Sequence, residues 1–200
     1  MWTGTENKVE LYLIRHGYTR ANEEHLYLGR TDMGLSERGK RELLVVEKTL
    51  RDKRKNCEFF FTGPMKRCRE SADLLFGDVE KIVIPQWTEM DFGLFECKGY
   101  KELSKDPRYQ AWIDSGGTMA FPEGESREDF IDRSCEGLEI LMEYIHGKSA
   151  MALLHGGNIM AIMSKYGDGN YYDYQVKPGK GYRCVFETGD EIKLVETEEL

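Results

Sequence analysis

The 200-residue chain lacks any surplus of positive charge: 28 Lys and Arg stand against 36 Asp and Glu, a formal charge of −8. The surface as a whole repels polyanions, which argues against nucleic acid and anionic membranes as partners. No apolar run approaches the ~20 residues of a membrane span. Met1 to Lys8 is polar and has no apolar h-region, so no signal peptide is expected there. The five cysteines are odd in number and include no C-x-x-C. They read as free thiols in a reducing cytosol, with neither a disulfide frame nor a zinc site. The four histidines are scattered and no H-E-x-x-H occurs, which argues against a metallohydrolase and against any metal site. G-x-G-x-x-G and the Walker loop are missing, so dinucleotide and nucleoside-triphosphate folds are not expected. G-x-S-x-G is missing too, which removes the esterase reading of a His-Gly-Gly turn. Without repeats, low-complexity tracts or linkers, residues 1–200 are expected to form one domain with a real core.

What is present begins with Val9, Leu11, Leu13 and Ile14, a short buried strand that stops abruptly in Arg15, His16 and Gly17. Tyr18 to Met33 is polar and long for a loop. Ser36 caps a helix with Leu43, Val46 and Leu50 on one face. Cys57 to Thr62 reads as a second strand, and Gly63-Pro64 turns it into a helix with Met65, Cys68, Ala72 and Leu75 as its core stripe and Arg67 off that stripe. Lys81 to Pro85 reads as a third strand. The alternation of strand and helix indicates an α/β layered fold. Gln86 to Tyr100 is irregular and aromatic, and helical segments follow over Tyr100 to Ser115. Ser126 opens the clearest helix, through Phe130, Leu138 and Ile145. Ser149 to Leu154 is another strand, ending in His155-Gly156-Gly157, with a helix over Asn158 to Lys165 behind it. Tyr182–Glu187 and Glu191–Val195 read as a closing hairpin.

Two strands therefore end alike. Open α/β sheets hold ligands at the carboxyl ends of their strands. If these strands are neighbours, His16, His155, Arg15 and Arg67 converge at one sheet edge. A helix N-terminus adds backbone donors there, and guanidinium groups match phosphate oxygens with paired hydrogen bonds. Taken singly, the same residues read as a charged strand end, an exposed helix arginine and, for Glu89, a surface carboxylate. His25 and His146, without partners, read as surface residues.

The order of several short pieces changes that balance. Arg15–Gly17 is followed by Thr19 and Asn22, GRTDMGLSERG at Gly29–Gly39, GPMKRCRESA at Gly63–Ala72, EMDFGLFE at Glu89–Glu96, PEGES at Pro122–Ser126, and HGG at His155–Gly157. In this order the chain resembles the histidine phosphatase, or phosphoglycerate mutase-like, superfamily over roughly Val9 to Phe186. The resemblance implies an α/β/α sandwich on a mixed, mostly parallel sheet, with a small cap from insertions at roughly 86–125. It implies that His16 is a phosphorylated nucleophile, that Arg15, Arg67 and His155 hold the phosphoryl oxygens with a polar contact from Asn22, and that Glu89 is the proton donor. Tyr18 departs from the acidic residue or Gln usual after the triplet. Tyr18, Gly29 and Gly156 are then candidate substrate contacts.

The chemistry is coherent on its own. A neutral imidazole attacks phosphorus, and a phosphoenzyme splits one displacement into two. Arg15, Arg67 and a protonated His155 can steady the transition state with neither metal nor cofactor. The apolar neighbours Trp87, Met90 and Phe92 would raise the pKa of Glu89. The expectation is a cytoplasmic, metal-independent hydrolase of a small phosphomonoester. The stretch from Cys97 to Ser126 looks most like that of α-ribazole phosphatases. A mutase and a non-catalytic phosphate-binding protein are the alternatives, and the sequence is compatible with a homo-oligomer.

Overall fold

The computed structural model describes residues 7–200, so most of the Met1–Lys8 expectation falls outside the described residues. Strand β1 spans Asn7–Arg15. A single helical turn, α1, covers Arg20–Glu23 inside the segment expected to be loop. Thr19 and Asn22 make it, each side chain capping the other's backbone N–H. Helix α2 (Glu37–Lys55) starts at Ser36, whose hydroxyl accepts from Gly39 N at 3.0 Å. Strand β2 (Phe59–Thr62) leads into α3 (Lys66–Phe76). Strand β3 is only Ile82–Val83, shorter than the expected 81–85 run, because the chain enters a 3₁₀ turn at Pro85–Trp87. Helices α4 (Tyr100–Leu103) and α5 (Pro107–Asp114) follow, then the long α6 (Arg127–Ile145). Strand β4 (Ala150–Leu154) runs into α7 (Gly156–Tyr166). The hairpin β5 (Gly181–Thr188) and β6 (Ile192–Glu199) closes the chain and is longer than its apolar pattern suggested. Edge strand β6 keeps its charged residues in water, so it needs no apolar alternation to pair.

The six strands form one sheet in the order β3-β2-β4-β1-β5-β6. Pairings from β3 to β1 are parallel, and β5 and β6 are antiparallel. Residues of β1 alternate between the two faces. Val9, Leu11 and Leu13 enter a core shared with α6 and α7, through Leu138, Leu141, Ile159 and Ile162. Tyr12 and Ile14 enter a second core with Leu43 and Leu50 of α2 and Ala72 and Leu75 of α3. A one-residue slip of β1 would exchange these two sets, which is why its register is fixed. A third apolar cluster joins Met90, Phe95, Leu103, Tyr109 and Phe121 to Phe130 of α6 and Ala161 of α7. It packs residues of the 86–125 stretch against α6 and α7.

Candidate active site

Register brings the two histidines together. β1 and β4 are parallel neighbours with Arg15 opposite Leu154, so both strands end at the same level. His16 N donates to Leu154 O at 3.0 Å, and the imidazoles of His16 and His155 lie 5.1 Å apart, nearly edge to face. On the other side of β4, Gly63 N donates to Leu153 O and turns β2 into α3, which delivers Arg67. Ser71 ties α3 to the first strand end by donating to Arg67 O and accepting from Gly17 N.

A cavity of about 350 Å³ opens at these strand ends. Its inner wall is Arg15, His16, Asn22, Glu89, Gly156 and Gly157; aromatic side chains make up much of the rest. His16 is buried, and its Nδ1 lies 2.7 Å from Gly17 O. A carbonyl only accepts, so Nδ1 carries the proton and Nε2 keeps its lone pair. Burial, then Arg67 and Arg15, hold this imidazole's pKa well below 6.5, so it is neutral at pH 7.

Arg15 donates to Val176 O at 2.7 Å, while its Nε is buried without a partner. Desolvation lowers its pKa, opposed by the Glu89 charge. A half-buried, half-satisfied cation of this kind gains from an anion beside it. Gly156, the first residue of α7, packs on this guanidinium: a Cβ there would stand 3.1 Å from Nε. Asn22 lines the cavity and commits Oδ1 to Thr19, which leaves the Nδ2 donors as its remaining polar group.

Glu89 is 8% exposed and accepts from Met90 N at 2.9 Å. Its pKa is raised, because desolvation outweighs the Met90 hydrogen bond, the two arginines and the Gly157 N–H. Arg133 of α6 holds the strand of chain before it, donating to Gln86 O and Thr88 O and pairing with Glu125 at 2.8 Å.

Arg67 and His155 are fully buried and stand behind the cavity wall. The paired phosphate bonds expected of Arg67 are therefore not its arrangement here. Nη1 donates to Thr31 O at 3.0 Å, Nη2 to Gly29 O at 2.8 Å and Leu28 O at 3.4 Å, and Nε to His155 Nδ1 at 3.2 Å. The loop after α1 is wrapped around this guanidinium. His155 must then accept at Nδ1 and carry its proton on Nε2, 3.3 Å from Cys68 Sγ. Burial, with Arg67, His16 and Arg15, pulls its pKa well below 6.5. That direction favours a neutral His155, against the protonated form expected, and makes its 4.0 Å approach to Glu89 Oε2 a contact between a ring and a carboxyl group.

Two expected substrate contacts lie outside the cavity lining. Tyr18 faces a separate groove with Leu43 and Val46, and Arg38 sits 4.2 Å over its ring. Gly29 packs on the Met90 carbonyl, and its N–H donates to Glu96 Oε1 at 2.9 Å. His25 and His146 are exposed turn residues with φ of 56° and 47°. Arg127, Tyr171, Tyr172 and Gln175 line the cavity, yet no motif or periodicity marked them. Arg127 was visible only as the first residue after a helix cap. Four of the five cysteines are buried and all are free. Among the described residues no helix is long and apolar enough to cross a membrane, and no three His, Cys, Asp or Glu side chains cluster at metal-ligand spacing.

The fold and site define an α/β/α protein with paired buried histidines at the ends of neighbouring parallel strands and an anion-ready corner between them. The histidine phosphatase superfamily (branch 1) profile matches residues 11–190, and the chain belongs to that superfamily. Among its relatives, a 2,3-bisphosphoglycerate-dependent phosphoglycerate mutase of Lachnoclostridium phytofermentans is 25% identical over 227 aligned positions, covering 96% of this chain and 91% of the relative. An adenosylcobalamin/α-ribazole phosphatase of Escherichia coli is 26% identical over 161 positions, 78% of each chain. The crystal structure of α-ribazole phosphatase from Shigella flexneri superposes with a TM-score of 0.79 at 24% identity, over 93% of this chain and 94% of that one, a likeness of fold.

Proposed function

We propose that this chain is a metal-independent phosphomonoester hydrolase that works through a phosphohistidine at His16. The observation that carries the reading is the His16 Nδ1–Gly17 O hydrogen bond, which leaves a neutral Nε2 lone pair at the cavity's inner wall. In the first step Nε2 bonds to phosphorus as the ester P–O bond breaks, and protonated Glu89 gives its proton to the leaving alkoxide. In the second, Glu89 takes a proton from water, the water oxygen bonds to phosphorus, and the P–Nε2 bond breaks. The Arg15 guanidinium and the N-terminus of α7, both in the cavity lining, stabilise the developing charge; Asn22 adds a neutral donor. Burial, then Arg67, favours a neutral His155, and Arg67 lends its charge from behind the wall. General acid–base work of this kind is worth roughly 10²–10⁴-fold.

The finer reading is a nucleotide-like substrate, with α-ribazole 5′-phosphate as first candidate. An aromatic wall of Tyr27, Phe92, Trp112 and Phe121 suits a flat leaving group, and the E. coli relative supports it. A mutase is the second reading, favoured by the nearly full-length match to the L. phytofermentans relative. The test is turnover with base quenching, which preserves phosphohistidine. A phosphoryl adduct on the His16 peptide, free phosphate as product and inactivity of His16→Ala are expected. Unimpaired hydrolysis by His16→Ala would refute the reading. Formation of 2-phosphoglycerate from 3-phosphoglycerate in place of free phosphate would support the mutase.

A further inference from the structure

The phosphoryl chemistry occupies one corner of the cavity, and the mouth is built from different material. Arg127 Cζ lies 5.6 Å from the Tyr171 ring centre and 5.9 Å from that of Tyr172. Those rings meet each other edge to face at 5.1 Å, so the guanidinium sits in a notch of two ring faces. Among the described residues no ion pair is formed by Arg127, and Glu125, two residues before it, is paired with Arg133. Tyr172 is half exposed and marks the rim. Across the mouth, Gly117 has φ +70° and no room for a side chain: a Cβ would stand 2.5 Å from Tyr172 Oη and 3.1 Å from Trp112. That glycine lets the cap reach the Tyr171–Tyr172 turn and draws Trp112 to the same rim.

Building on the hydrolase reading, we propose that Arg127, backed by Tyr171 and Tyr172, is a specificity-determining platform on which a flat heteroaromatic ring of the leaving alcohol stacks. A guanidinium plane is weakly hydrated and stacks on π faces, unlike an ammonium. Outside the phosphoryl corner the lining is mostly aromatic or apolar, with Phe92, Trp112, Phe121 and Met160 beside one amide, Gln175, which matches a ring face better than a hydrated second anion. Arg127 is thus a binding residue that reads the part of the substrate farthest from phosphorus.

The test compares kcat/KM for ribose 5-phosphate with that for a nucleoside 5′-monophosphate bearing a benzimidazole base. Both break a phosphate bond to a ribose 5′-oxygen, so the reacting bond is matched and their ratio reports the base. The wild type is expected to favour the base-bearing ester. Arg127→Ala should cut that ratio roughly tenfold, in the range of single-base stacking, mainly through KM. Arg127→Lys should fail to restore it, and Tyr172→Leu should lower it in the same direction, with unfolding midpoints followed alongside. Full restoration by Lys would mean a point charge and overturn the platform, as would an equal loss on both esters. Wild-type hydrolysis of ribose 5-phosphate with no gain from the base would sink the platform and leave the hydrolase standing. No turnover of either ester, with no adduct on His16, would sink both.

Discussion

Gly157→Ala separates the fold from the chemistry. Gly157 is the second residue of α7, and alanine there should by propensity add stability, since glycine inside a helix costs about 0.5–1 kcal/mol. A Cβ at this position, however, would overlap Glu89 Oε1 and stand 3.0 Å from the Phe130 ring. The first obstacle is the free end of a flexible side chain, so the cheapest relief is for the Glu89 carboxylate to swing away. Relief to an ordinary contact moves the oxygen by about 1 Å, and a misplacement of that size can cost on the order of 10²-fold in rate. The loss should appear where the leaving group needs a proton. Steady-state kinetics with ribose 5-phosphate should show a fall of roughly 10²-fold, close to that of Glu89→Gln, while p-nitrophenyl phosphate, whose phenolate leaves unaided, should fall far less. The unfolding midpoint should stay near that of wild type. Wild-type kinetics on ribose 5-phosphate, or an equal drop on both esters, would refute the placement of Glu89 as proton donor.

Four further outcomes follow from the same coordinates. Because burial raises the Glu89 pKa, kcat/KM for alkyl phosphates should decline on the alkaline side at a pH above the ordinary carboxylate range, and Glu89→Gln should abolish that limb; a limb that survives assigns it elsewhere. His16 and His155 have depressed folded pKa values, so the unfolded chain binds more protons below 6.5, and their contribution to stability is present above that pH and lost as pH falls. Denaturant titrations at pH 7 and 5 should show this loss, and a pH-independent stability would contradict it. Arg133→Met removes the donor to Glu125 and to the part-buried Gln86 carbonyl and leaves the Thr88 carbonyl only its 3.4 Å bond from Asn158, and equilibrium unfolding should record a loss of ~1–3 kcal/mol; an unchanged unfolding midpoint would show the network to be ornamental. Native alkylation should label Cys97 alone, as intact mass with peptide mapping would report, since the other four thiols are buried.

Much of this architecture is written locally in the chain. Alternating apolar residues from Val9 to Ile14 and the run Ala150–Leu154 define strands by side-chain period alone. Ser36 and Ser126 mark helix starts by their own hydrogen bonds. The gathering of His16, His155, Arg15, Arg67 and Glu89 could be inferred because each belongs to a short recognisable motif, and the sheet order β2-β4-β1 then places those motifs side by side. The sequence could not say how the gathered groups would divide their hydrogen bonds. Arg67 turns to the carbonyls of Leu28, Gly29 and Thr31, and His155 is neutral, because both are sealed behind the wall by chain more than thirty residues away. Tyr18 reads as a substrate contact from its position directly after the Arg15–Gly17 triplet, yet its ring lies under Arg38 in another groove. Arg127 reached the mouth only through the packing of α6 against the Tyr171–Tyr172 turn. Strand period and helix caps depend on neighbours a few residues apart and can be read along the chain. Protonation, donor partnership and cavity lining depend on what surrounds a side chain in space, and that is decided only when distant segments close around it.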